Sequence, residues 1–140
     1  MPADWKKRDN IWIGPRNADG VAARIEAHCY SAVNPYYKSA DDYLNHARSS
    51  VVPVAGESTG PIEALSVAGY KARRFTRDTF EVLPAESINA KSVAVREERI
   101  VLKLKSGFCV FGFTASRGQF PKRRKHFQRM LDTLRTRPPN

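Results

Sequence analysis

Two stretches of the chain set its architecture through their hydrophobic patterning. From Val21 to Tyr30 apolar and polar positions alternate. Val21, Ala23, Ile25, Ala27 and Cys29 fall on one side; Arg24, Glu26, His28 and Tyr30 fall on the other. A period of two is that of a β-strand with one buried face. From Phe108 to Phe113 (FCVFGF) there is no polar side at all. Such a strand has to be covered on both faces, which places it at the centre of a sheet. Gly112 within it predicts close approach of a large neighbour.

The other elements follow from the same patterns and from turn residues. Pro2 to Asn10 reads as an opening segment and turn, and Ile11–Ile13 as a short strand stopped by Gly14-Pro15. Asn17-Ala18-Asp19-Gly20 then leads into the alternating strand, which suggests a hairpin. After the break at Asn34-Pro35, Ser39 is placed to cap a helix over 40–51. Asp41 and Asp42 sit in its first turn and Tyr43, Leu44, Ala47 and Val51 form its apolar stripe, with Pro53 and Gly56 ending it. Residues 56–60 read as a polar loop. Pro61–Val67 and Tyr70–Val82 read as a hairpin turning at Ala68-Gly69. Leu83–Ser92 has no period and reads as an excursion between strands. Val93–Lys105 resumes the sheet and turns at Ser106-Gly107 into Phe108–Phe113.

A last helix starts near Phe120 or Pro121, since proline suits the first helical turn. It turns Phe120, Phe127, Met130, Leu131 and Leu134 inward and carries Lys122, Arg123, Lys125 and Arg129 on its other faces; Arg124 lies nearest the apolar stripe. The tail Pro138-Pro139-Asn140 ends it. The predicted fold is therefore α+β: an antiparallel sheet covered by helices on both faces, an α/β/α sandwich, in a single domain spanning 1–140.

Composition changes this picture in one respect. The chain has 24 Lys and Arg against 14 Asp and Glu, a formal net charge of +10. Such a balance favours acidic partners, whether nucleic acid, anionic lipid or an acidic protein face. Much of the charge is concentrated late in the chain. From Arg117 to Arg137 there are eight Lys or Arg and one acid, Asp132. Arg117, Lys122, Arg123, Lys125 and Arg129 are the candidate anion- or partner-binding surface. No apolar run is long enough to span a bilayer as a helix, and the N-terminus MPADWKKRDN has no signal-peptide core. Export would require a leader removed upstream; otherwise the expected compartment is the cytoplasm. Cys29 and Cys109 are too few for a disulfide framework and, lying in apolar runs, are read as buried free thiols.

The motifs of catalysis are missing. His28, His46 and His126 lie on different elements, and none belongs to a nucleophile motif. There is no Cys-x-x-Cys or His-Glu-x-x-His spacing, and strand alternation sends His28 and Cys29 to opposite faces, so no metal site is expected. Glu97 and Glu98 likewise face opposite ways and are expected to be solvated. Gly56-Glu57-Ser58-Thr59-Gly60 lacks the Lys-Ser/Thr of a phosphate-binding loop. The interleaved Tyr70, Arg73, Arg74, Phe75 and Arg77 form a faint nucleic-acid platform, but their aromatics are expected in the core. No cofactor is implied.

The order of elements resembles the PsbP/Mog1-like fold family. The similarity rests on a Pro-x-x-Trp opening (Pro2 to Trp5), the strand start Ala68-Gly69-Tyr70-Lys71-Ala72, and the closing segment Phe108–Leu134. That segment has a hydrophobic strand, the exit Thr114-Ala115-Ser116 and a helix with Phe127 and Leu131. The chain departs from the family in having Thr133-Leu134 where a Ser-Phe pair is frequent. Members of this group are non-enzymatic: photosystem subunits, a GTPase-binding protein, bacterial lipoproteins and effector chaperones. The resemblance thus implies a non-catalytic binding, accessory or assembly role, in a bacterial protein that recognises a protein or acidic surface. The contacts would be the basic helix and the loops 34–38 and 83–92. The alternative is binding of nucleic acid or an anionic membrane through that helix.

Overall fold

The computed structural model describes residues 4–16, 20–48, 57–83 and 91–133. In chain order the elements are β1 (Lys6–Arg8), β2 (Ile11–Arg16), β3 (Ala22–Ser31), α1 (Ala40–Arg48) and β4 (Ser58–Thr59). They continue with β5 (Glu63–Val67), β6 (Tyr70–Leu83), β7 (Lys91–Leu104), β8 (Gly107–Ser116) and α2 (Phe120–Asp132). The eight strands form one sheet in the order β1-β2-β3-β8-β7-β6-β4, with β5 also paired to β6. Every pairing is antiparallel. The α+β expectation holds at this level: an antiparallel sheet with two helices.

β8 lies between β3 and β7, as its doubly apolar sequence requires. Its alternate residues feed two different clusters. Cys109, Phe111, Phe113 and Ala115 pack with Ile25, Ile100 and Leu102 and with Phe120, Phe127 and Leu131 of α2. The Phe113 and Phe127 rings stack with centroids 5.5 Å apart. Phe108 and Val110 pack instead with Phe75, Val101 and with Tyr43 and Leu44 of α1. Ser39 caps α1 as its sequence foretells: its hydroxyl accepts a hydrogen bond from the Asp42 amide at 3.1 Å, and the Asp42 carboxylate accepts one from the Lys38 amide. At its other end the Ala47 carbonyl accepts a hydrogen bond from Arg77.

Several expectations are corrected. The cysteines are not free: Cys29 and Cys109 are directly opposite in the β3–β8 register and form a disulfide, their Cα atoms 4.0 Å apart. Periodicity placed both in strands, but only the register makes them neighbours. No large neighbour presses on Gly112 among the described residues: a Cβ there would meet nothing nearer than the Glu98 carbonyl at 4.0 Å. The indispensable glycine is Gly107, at φ 151°, where a Cβ would lie 2.0 Å from the Tyr30 carbonyl oxygen. The turn before it is Lys105-Ser106, one residue earlier than expected, since Gly107 already pairs with Leu104.

Lys6–Arg8, expected as a turn, is an edge strand that reverses at Asp9-Asn10. β2 continues through Gly14-Pro15 with a register irregularity between Ile13 and Arg16, a position that tolerates proline. Gly14 is needed there because a Cβ would come within 2.9 Å of the Trp5 ring. The polar loop 56–60 contributes the short strand β4, and the ends of the 83–92 excursion belong to the sheet, with Leu83 pairing Lys91. Residues 84–90 lie outside the described residues. So do Pro2, the turn Asn17–Asp19, the helix end with Val51, Pro53 and Gly56, Leu134 and the tail.

The disulfide closes a sequence separation of 80 residues. Replacing Cys29 and Cys109 together by serine and alanine is expected to lower unfolding free energy by about 3–4 kcal/mol. Urea denaturation of the variant, and of wild type with and without reductant, measures it.

Candidate binding surface

The five basic residues singled out in the sequence are not brought together as one patch. Arg117 precedes α2 and is held against the sheet, donating to the carbonyls of Val95 and Thr79 with its guanidinium over the Phe80 ring. Arg123 is half-buried. Lys122, Lys125 and Arg129 are exposed and, at spacings of three and four, share one outer face of α2.

Arg124, on the inward flank, explains part of the missing charge. Its Nε and Nη2 donate at 2.7 and 2.8 Å to the two carboxylate oxygens of Glu98, a bidentate pair. Glu98 is 0% exposed, which corrects the expectation of a solvated carboxylate. Strand alternation does separate it from Glu97, but the face it occupies is the one α2 covers. Arg74 approaches the same carboxylate at 3.8 Å. Glu97, on the other face, pairs with Arg99, which also donates to the Tyr43 hydroxyl at 2.7 Å. Asp78 binds Arg96, whose hydrogen bond holds its carboxyl below the usual value.

His126 of α2 meets the N-terminal segment before β1, its ring edge-on to Trp5 at 5.5 Å. Burial lowers its pKa, and Lys125, Arg123 and Arg129 push it further down against a smaller opposing effect of Asp4.

A second surface surrounds the segment between β3 and α1. The Asn34 side chain uses all its hydrogen-bonding capacity there. Its amide nitrogen donates to the carbonyls of Ser31 and Tyr37, and its oxygen accepts from the amides of Tyr36 and Tyr37. The loop so fastened points two large apolar side chains outward, Val33 at 90% and Tyr36 at 75% exposure. Behind them Tyr37 packs edge-on to Tyr30 and Tyr43, and Tyr30 stacks on Phe108 at 5.0 Å. Burial raises the pKa of the Tyr30 and Tyr43 phenols, so both stay neutral. His28 and His46 touch this aromatic group at Tyr30 and Tyr37.

Clefts of about 240 Å³ and about 610 Å³ flank the loop. The first involves Lys38, Asp41, Lys103 and Phe108, the second Pro35, Tyr37, Asp42 and His46. The sequence flagged 34–38 as a contact loop; it carried no sign that Asn34 fastens it. Tyr70 and Phe75 are core-packed as expected, in the clusters of α2 and α1 respectively. Among the described residues no group of three His, Cys, Asp or Glu could hold a metal ion, and no helix is long and apolar enough to cross a membrane.

No protein-family model matches the chain, and no curated protein matches it in sequence. Among the solved structures that share its fold are two bacterial proteins. PA94 of Pseudomonas aeruginosa, a protein of unknown function proposed as a regulator, superposes with a TM-score of 0.65 at 12% identity, over 99% of this chain and 90% of its own. LpqN of Mycobacterium tuberculosis, involved in cell envelope biogenesis, superposes with a TM-score of 0.51 at 13% identity, over 91% of this chain and 75% of its own.

Two outcomes are expected from these contacts of α2. Arg124→Ala leaves Glu98 buried with only the more distant Arg74, so unfolding free energy should fall by about 3 kcal/mol. Lys125→Ala, on the exposed face, should change it by less than about 0.5 kcal/mol in the same denaturation assay. The second outcome concerns pH. Because folding depresses the His126 pKa below 6.5, its neutral form is favoured in the native state. Its contribution is complete above that value and is lost as pH falls through the folded pKa. The melting temperature should therefore decline from neutral to mildly acidic pH, and His126→Gln should flatten that decline.

Proposed function

We propose that this chain is a non-catalytic binding or accessory domain of a bacterial protein, of the PsbP/Mog1-like sandwich type, that recognises a protein partner through the Asn34-fastened loop. One observation carries the reading: Val33 and Tyr36 stand exposed on a loop whose backbone is already held in place. Large apolar side chains exposed together favour a protein contact. A loop ordered beforehand loses little entropy on binding, so more of the contact energy appears as affinity. The sandwich assignment is supported by the alternate residues of β8, which pack with α2 on one parity and with α1 on the other. A non-catalytic role is supported by the state of the polar side chains, which are engaged in structural pairs such as Glu98–Arg124, Glu97–Arg99 and Asp78–Arg96.

The Cys29–Cys109 disulfide supports action in an oxidising compartment outside the cytoplasm. Participation of the similarly folded LpqN in cell envelope biogenesis is consistent with that placement.

The alternative, binding of nucleic acid or an anionic membrane, draws on the net charge of +10 and on the exposed Lys122, Lys125 and Arg129. Against it, Arg117 and Arg124 are engaged with groups of the fold itself. Affinity capture from a bacterial envelope extract, at low and high salt, separates the two. A protein should be retained at both, and Val33→Asp with Tyr36→Ser should lower its affinity roughly tenfold or more with the melting temperature unchanged. Capture that collapses steeply with salt and ignores the loop variant would establish the alternative.

A further inference from the structure

The two margins of the sheet are built differently. β1 is three residues long and consists of Lys6, Lys7 and Arg8, a charged and short edge of the kind that discourages further pairing. β5 is five residues, Glu-Ala-Leu-Ser-Val, with one charge and no proline. It pairs with β6 on one side, and among the described residues no strand pairs with its other side.

The hairpin turn defines which groups this edge offers. Ala68 and Gly69 have φ of 51° and 84°, a type I′ pair that makes Val67 and Tyr70 the closing hydrogen-bonded pair. Hydrogen-bonded and non-bonded pairs alternate from there, so Leu65↔Ala72 is bonded, whereas Ser66↔Lys71 and Ala64↔Arg73 are not. The N–H and C=O groups of Ala64 and Ser66 therefore point outward, away from β6.

The side chains complete the surface. Leu65 and Val67 lie on the face that packs into the α2 cluster, where they form an apolar shoulder. Ala64 and Ser66 are small, exposed and on the opposite face, with Lys71 and Arg73 directly behind them on β6. Arg73 shares Asp41 with Lys103, and Lys71 has no carboxylate partner among the described residues. A strand laid beside β5 would run two strand spacings, about 9.5 Å, from β6. A lysine or arginine can reach across small residues over that gap to meet a glutamate.

We propose that the outer edge of β5 receives an extended segment of a partner protein as an added strand. The segment would alternate apolar residues, set beside Leu65 and Val67, with acidic residues, set across Ala64 and Ser66 from Lys71 and Arg73. Main-chain hydrogen bonds to Ala64 and Ser66 supply the pairing, and the two faces supply selectivity. The proposal rests on the reading of the chain as a binding domain and assigns the chemistry of one bound segment.

The test uses the whole protein and two capped synthetic peptides, one alternating valine with glutamate and one alternating valine with lysine. The acidic peptide is expected to bind and to slow hydrogen exchange at the amides of Ala64 and Ser66, followed by NMR. Ser66→Pro removes an outward N–H while leaving the β5–β6 ladder intact, and should weaken binding at least tenfold. Lys71→Glu, which leaves the edge unaltered, should weaken the acidic peptide several-fold and improve the basic one. Val33→Asp with Tyr36→Ser should leave peptide binding unchanged, so failure at β5 is distinguishable from failure of the loop reading. The proposal is overturned if the acidic peptide does not bind, binds Ser66→Pro equally well, or is matched by the basic peptide. It is also overturned if light scattering shows the wild type occupying this edge with a second copy of itself, lost in Ser66→Pro.

Discussion

Burial of β8 on both of its faces is the constraint on which the rest of the molecule depends. A strand from Phe108 to Ser116 with almost no exposed side chain must have neighbours on either edge and packing on either face. β3 and β7 supply the edges, and the residues of α1 and α2 enter the two clusters that its alternate positions create. The tight approach of β3 at Gly107 and the disulfide at Cys109 follow from the same location. Both depend on β3 being the strand that lies alongside.

The strong positive charge is distributed by that packing. Covering β8 with α2 brings Arg124 down onto the sheet, where a fully buried Glu98 receives it. A buried carboxylate needs a paired, hydrogen-bonded cation, and the bidentate guanidinium provides both. Arg117 is drawn in likewise by backbone carbonyls. Part of the basic run thus serves the fold, and what reaches solvent on α2 is a narrow strip. The more distinctive exposed features are apolar and geometrical: a loop fastened by one asparagine and a length of sheet edge with a single charge. Both are placed by the frame but not required by it. The shared fold with PA94 and LpqN at 12% and 13% identity concerns the scaffold alone.

Much of the frame was legible in the amino-acid order, because the relevant signals are local. The alternation of Val21–Tyr30, the unbroken apolar run at Phe108, the Ser39 cap and the proline at the start of α2 each act over a few residues. The Ala68-Gly69 turn was also readable from its residues. The α+β class followed from combining them. The candidate surface was read less well. The basic positions were grouped by nearness in sequence, and one of them, Arg117, is held by backbone carbonyls of the sheet; Arg124, read from the sequence as nearest the apolar stripe, turns inward to Glu98. The loop after β3 was read from the break at Asn34-Pro35, without the hydrogen bonds that hold it.

By itself, then, the sequence determined where the long strands and both helices form, which strand is central and which faces are apolar, since these depend on periodicity and on short-range turn and cap chemistry; the short edge strands β1 and β4 escaped it. Tertiary structure alone decided the partners of particular side chains. Cys29 meets Cys109 through the register of two strands 80 residues apart, Glu98 is buried because α2 crosses its face, and Lys71 stands behind Ser66 at an edge that no described strand pairs. Each is a matter of which surfaces the folded chain brings together, and no local pattern encodes that. The physical reason is the same throughout: periodicity defines the face on which a residue lies, and only packing decides what lies opposite.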